Sequence, residues 1–131
     1  MANPQRPLSP HLQVYRWQIQ MVTSILHRAT GVILAVGSLL IAYALVALAS
    51  GPEAWDRVTA CATSPLGFVV LFGWSWAFAF HLFNGLRHLV QDAGYAWRIE
   101  QFIRSSWTSV FGSLALTAII WVIAMMQRGG A

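Results

Sequence analysis

The chain has 131 residues, 57% of them hydrophobic and only 9% charged, with a net charge of +4. Soluble domains carry about 25% charged residues, so an ordinary water-soluble globular domain is excluded. The eight basic residues are all arginines scattered between apolar blocks, a distribution that argues against nucleic acid and for orientation in a membrane.

The N-terminal residues, MANPQRPLSPHLQVYRWQIQ, are polar and Pro-rich, without the short apolar core of a secretion signal. The chain is therefore expected to start near Met1, with residues 1–23 forming a cytoplasmic segment. Further along, three stretches lack Asp, Glu, Lys and Arg for long enough to cross a bilayer, which takes ~20 residues as a helix. They predict transmembrane helices at about residues 25–50, 65–90 and 105–127, in one membrane domain covering 1–131. The fold class is all-α integral membrane. Pro65 suits a first helical position. Cys61, the single cysteine, cannot form an internal disulfide and reads as a small apolar residue near a helix start. The stretch GYAWRIEQFIRSS, residues 94–106, fits a short amphipathic helix lying along the inner surface.

Arginines set the orientation. With the N-terminus in the cytoplasm, Arg6, Arg16, Arg28, Arg87, Arg98 and Arg104 lie inside, and Arg57 and Arg128 outside. The chain is expected in a bacterial inner membrane, the mitochondrial inner membrane being the alternative. Trp17, Trp55, Trp97 and Trp107 fall near the predicted boundaries, where amphipathic rings favour the headgroup layer. Trp74, Trp76 and Trp121 lie deeper, as packing residues.

An ionisable side chain near the bilayer centre costs about 2.5–3.5 kcal/mol on insertion scales, so each polar residue near a span needs an account. They concentrate in SILHRATG, residues 24–31, and HLFNGLRHLVQD, residues 81–92. Both belong to the cytoplasmic end of the bundle. His81 and His88 share a helix face about 10.5 Å apart along the axis, so they cannot approach one iron from opposite sides. Asp92, four residues beyond His88, is placed to pair with it, and Arg87 points to a different face.

Plain structural roles compete with functional ones at every position. A deep histidine such as His81 can simply hydrogen-bond to a neighbouring helix. His27 and His88 suit an interface, and Arg28 can snorkel to the headgroups. Thr23 or Ser24 can cap a helix. Gly31, Ala35, Ser38 and Ala42 form a small-residue stripe that serves helix packing or the approach of a flat macrocycle.

A b-type haem would use these groups together. It needs an axial imidazole at depth, a role for His81. Its anionic propionates need cations at the membrane edge, a role for His27, Arg28 and His88. No second deep histidine exists, so another axial imidazole would come from a partner subunit.

Taken together, HRATG at 27–31, HLFNGLRH at 81–88 and DAGY at 92–95 resemble the family of cytochrome b membrane anchor subunits of succinate dehydrogenase, complex II. The RPLSPHL start is similar to the family's Arg-Pro opening. The resemblance covers nearly the whole chain. It implies half of a heterodimeric haem-binding helical bundle, with His81 as one haem ligand and a second membrane anchor subunit supplying the other. It implies that Ser24 and Arg28 line a ubiquinone pocket completed by that second anchor and the iron–sulfur subunit, with a flavoprotein subunit in the same complex. His27 and Arg28 then stand near the haem propionates.

Ser24 and Arg28 are one helical turn apart, so a hydroxyl and a guanidinium can offer hydrogen bonds to one quinone carbonyl. The chain has no flavin motif, cysteine cluster or dicarboxylate site, so it cannot oxidise succinate alone. The alternatives are the anchor of a fumarate reductase, a small proton-relay transporter subunit built on His81, and a structural assembly factor.

Overall fold

A computed structural model describes residue 14 and residues 16–129. Arg6, His11 and the RPLSPHL opening lie outside the described residues. The described chain forms four helices: α1 (Ile19–Ser50), α2 (Pro52–Ala62), α3 (Pro65–Asp92) and α4 (Ile99–Gly129). α3 is central, packed against both α1 and α4. Helices α1, α3 and α4 are each long and apolar enough to cross a membrane, an 18-residue stretch of each having a mean hydropathy of 2.6, 1.7 and 2.1 respectively. At ~1.5 Å per residue, α1 with its 32 residues is about 48 Å long. That exceeds the ~30 Å hydrocarbon core, so its ends reach the headgroup layers.

α1 begins at Ile19, inside the segment expected to lie outside the membrane. Gln18 occupies the cap position with extended backbone, and its carbonyl accepts from the N–H groups of Met21 and Val22 at 3.0 and 3.2 Å. Thr23 and Ser24 therefore sit past the helix start and cap nothing. The apolar residues Ile19, Met21, Val22 and Ile25 let the helix continue without a break.

Gly51, at φ 117°, turns the chain from α1 into α2, and Pro52 opens that helix. This short helix is not among the predicted elements. Cys61 lies in its last turn, shortly before α3 begins at Pro65, and is exposed. Ser64 then caps α3, its hydroxyl accepting from the Gly67 N–H at 3.1 Å, with Pro65 in the first turn.

The connection between α3 and α4 also differs from expectation. Gly94 and Ala96 take left-handed backbone, φ 87° and 61°, and break the helical path. Helix resumes at Ile99 and runs without interruption into the third span. Residues 94–106 therefore form no separate surface helix: Phe102, Ser105 and Ser106 belong to the first turns of α4.

Burial is inverted relative to a soluble protein. The buried side chains include Thr23, Thr30, Asn84, Arg87, Gln91, Ser106, Ser109, Ser113 and Thr117, while large apolar side chains line the outside. Leu39, Val69 and Met126 are each about 70% exposed. In lipid there is no hydrophobic gain from hiding leucine, so small residues that permit close backbone approach occupy the seams. Along α4, Ser106, Ser109, Ser113 and Thr117 each donate to a carbonyl three or four residues earlier, at 2.8–3.2 Å. Their hydroxyls are thereby satisfied without a partner helix.

On α1 the buried stripe is Thr23, Thr30, Gly37 and Ala47. Ala35, Ser38 and Ala42, the expected stripe, are exposed. The seam from Thr23 to Gly37 follows a seven-residue spacing, and Gly37 must receive the Trp74 indole: a Cβ there would overlap the ring.

Candidate functional site: a histidine cluster at one end of the bundle

Packing of α1 against α3 brings together His27, His81 and His88. The rings of His27 and His81 stack, with centroids 3.9 Å apart and planes 11° apart. The His88 ring is tilted against His27 at 5.2 Å. Phe80 and Phe83 neighbour His81 in the sequence, but its ring neighbour in space is an imidazole from the other helix. Gly31 makes that approach possible, since a Cβ there would come within 3.1 Å of His81 Cε1.

Hydrogen bonding fixes the tautomer of His81. Its Nδ1 lies 3.2 Å from the His27 carbonyl oxygen and 3.2 Å from Thr30 Oγ1. A carbonyl only accepts, so Nδ1 carries the proton. Thr30 is consistent with this, because its own hydroxyl donates to the Leu26 carbonyl at 2.7 Å and leaves the oxygen free to accept. Nε2 of His81 is then unprotonated, and it makes no hydrogen bond among the described residues. A backbone carbonyl orienting one ring nitrogen while the other keeps its lone pair is the usual arrangement behind a metal-bound histidine.

His88 is held differently. Arg87 Nη1 donates to Asn84 Oδ1 at 3.2 Å, which orients the amide so that its nitrogen faces His88 Nε2 at 3.2 Å. Asn84 thus donates to His88 Nε2, and that nitrogen is not free to ligate. The expected His88–Asp92 pair does not form: Asp92 is exposed, and the only ion pair among the described residues joins Arg57 to Glu53. As expected, Arg87 points elsewhere, towards α4, where its Nε donates to Ser105 Oγ at 3.1 Å and its guanidinium lies 4.3 Å over the Phe102 ring.

Ser24 and Arg28 stand one turn apart on α1, the serine half-buried and the arginine exposed at the same helix end. Neither makes a hydrogen bond among the described residues. His27 Nδ1 is buried and has no partner among them. No group of histidine, cysteine and carboxylate side chains among the described residues is arranged to hold a bare metal ion. The donor set fits a group that brings its own in-plane ligands and asks the protein for one imidazole lone pair. That is what haem asks.

Asn84 and its link to Arg87 are functional features that the sequence reading misses. The signal is present as Asn84, Arg87 and His88 at i, i+3 and i+4, neighbours on one helical surface.

The sequence matches the model of the succinate dehydrogenase/fumarate reductase transmembrane subunit over residues 2–120. The chain belongs to that family. A relative from Paracoccus denitrificans, a succinate dehydrogenase cytochrome b556 subunit, is 45% identical over 118 residues, covering 90% of this chain and 91% of that one. A subunit of the same name from Rickettsia felis is 37% identical over 117 residues, 89% and 91% of the two chains. The mitochondrial succinate dehydrogenase cytochrome b560 subunit of Sus scrofa is 35% identical over 102 residues, 76% of this chain and 60% of that one. As a member of this transmembrane family with three spanning helices, the chain is a multi-pass membrane protein and a membrane subunit of its complex.

Proposed function

We propose that the chain is the cytochrome b anchor of a succinate:ubiquinone oxidoreductase, binding haem b jointly with a second anchor subunit and forming part of the ubiquinone-reduction site. The observation that carries this reading is His81. Its Nδ1 is committed to the His27 carbonyl and Thr30, which leaves Nε2 as a lone pair with no partner among the described residues. Haem b, when bound, supplies a one-electron carrier. This chain's part would be to hold the haem through the His81 imidazole, and the second anchor subunit would hold it from its own side.

His27, with its buried unpartnered Nδ1, and Arg28, at the same end of α1, are suited to the propionates. His88 stands in the same region, but its Nε2 is occupied by Asn84, so only Nδ1 can contribute. Ser24 and Arg28 offer a hydroxyl and a guanidinium to a quinone carbonyl. Reduction of the quinone places negative charge on that oxygen, and fixed donors in a poorly hydrated site stabilise it.

The iron–sulfur and flavoprotein subunits dock at this end of the bundle and oxidise succinate; the chain alone is not an enzyme. The arginine distribution puts the N-terminus and this docking end in the cytoplasm of a bacterial cell, with the chain in the inner membrane. The succinate dehydrogenase names of the relatives favour succinate oxidation over the reverse reaction.

Mild detergent purification through a tag on this chain tests the reading, and should yield the companion subunits together with a b-type spectrum. In the same preparation, Arg28→Leu should lower quinone reduction while leaving succinate oxidation by a soluble dye largely intact. Equal loss of both activities would count against a quinone role for Arg28.

A further inference from the structure

The seam between α3 and α4 holds a buried cation with a donor group that the haem and quinone roles do not use. Arg87 is only 7% exposed, and it has donated Nε to Ser105 and Nη1 to Asn84. Its Nη2 is buried without an acceptor among the described residues. Gln91, one turn along the same helix, is also 7% exposed, and its Nε2 likewise lacks an acceptor. Both residues line a cavity of about 220 Å³ together with Phe83, Leu86, Val90 and Thr108. No carboxylate lines it among the described residues. A guanidinium stays charged at any pH the protein meets, and a buried charge needs a counter-ion.

We propose that this cavity binds the phosphate of an anionic phospholipid headgroup, with Arg87 Nη2 and Gln91 Nε2 donating to its oxygens. Two donors one turn apart select a ligand with several acceptor oxygens and negative charge. The membrane is the source because of where the cavity lies. Arg87 and Gln91 are in the last two turns of α3, followed by exposed Tyr95 and Trp97, residues that favour the headgroup layer. Leu86 and Val90 are 51% and 48% exposed, so the cavity opens on the outer surface of the helices, where they can cover the first methylenes of an acyl chain.

The test uses the intact complex, purified in mild detergent and stripped of loosely held lipid. Phosphatidylglycerol, phosphatidylcholine and inorganic phosphate are offered separately, and retained lipid is read by native mass spectrometry, with phosphate scored by competition. The wild type should retain phosphatidylglycerol about tenfold better than phosphatidylcholine, and inorganic phosphate should compete poorly. Gln91→Leu, which removes one donor, and Thr108→Phe, which fills the cavity, should each reduce that retention by about tenfold, the scale of one lost charge-assisted contact. Equal retention of both lipids, retention indifferent to both variants, or full competition by inorganic phosphate would overturn the proposal. So would a structure of the complex in which a partner subunit's carboxylate occupies Arg87 Nη2.

Discussion

The C-terminal half of α3 turns polar side chains towards two neighbours, and the two faces are built on opposite principles. Towards α1, His81 and His88 have their protons placed by a carbonyl, a threonine and an amide, which leaves one unshared lone pair on His81. Towards α4, Arg87 and Gln91 keep donors that find no acceptor among the described residues. An imidazole can offer electrons to a metal, whereas a guanidinium can only donate hydrogen bonds. One face therefore suits an electron-pair acceptor and the other an anion. Asn84 joins them, accepting from Arg87 and donating to His88.

Substitutions can separate the faces, and the largest effect is expected at Gly31. A Cβ at this position already crowds His81 Cε1 at 3.1 Å, and the branches of valine add to it. Gly31→Val should displace the imidazole and lower the haem content of the purified complex by more than about tenfold, the scale of disturbed ligand support. The α4 face should keep its lipid preference.

Asn84→Leu breaks the join itself. It leaves Arg87 Nη1, on a buried side chain, and Nε2 of the half-buried His88 without partners, so a loss of about 1–3 kcal/mol is expected in thermal unfolding of the complex. Both haem retention and lipid retention should weaken, which neither Gly31→Val nor Thr108→Phe should do alone.

Thr30→Val is a finer probe. It removes one of the two acceptors of His81 Nδ1 and keeps the carbonyl of His27. Haem should stay bound with affinity reduced by up to about tenfold and a shifted midpoint potential, since outer partners tune ligand basicity. Arg57→Ala belongs to neither face. Its pair with Glu53 is exposed, so stability should change by less than about 0.5 kcal/mol and the spectrum not at all.

How legible these features are depends on the physics that sets them. Three uncharged runs of bilayer length announce three spans, because the cost of burying charge in lipid leaves its mark in composition. α2 leaves no such mark: PEAWDRVTACA is short and mixed, and it is held by its position between Gly51 and Ser64. The break at Gly94 and Ala96 rests on two left-handed residues, one of them an alanine, which composition does not disclose. Small residues are spread along all of α1, so their identity cannot tell that Thr23, Thr30 and Gly37 face inward while Ala35, Ser38 and Ala42 face out.

The site divides along the same line. His27, His81 and His88 can be grouped from sequence because each is a polar residue near the same end of the bundle. Their mutual arrangement cannot. It depends on the close approach of α1 and α3 at Gly31, and on an amide whose orientation is set by Arg87. Asp92, the obvious partner for His88 by spacing, loses to Asn84 because the carboxylate is better solvated at the exposed helix end.

The proposed function stands or falls with His81 Nε2 as the lone pair this chain gives to haem iron. Reduced-minus-oxidised spectra of the intact complex carrying wild-type, His81→Ala or His88→Ala chains test it most directly. The b-type bands should vanish in His81→Ala and survive at lower intensity in His88→Ala. Bands that persist in His81→Ala, or that disappear equally in both variants, would contradict the account.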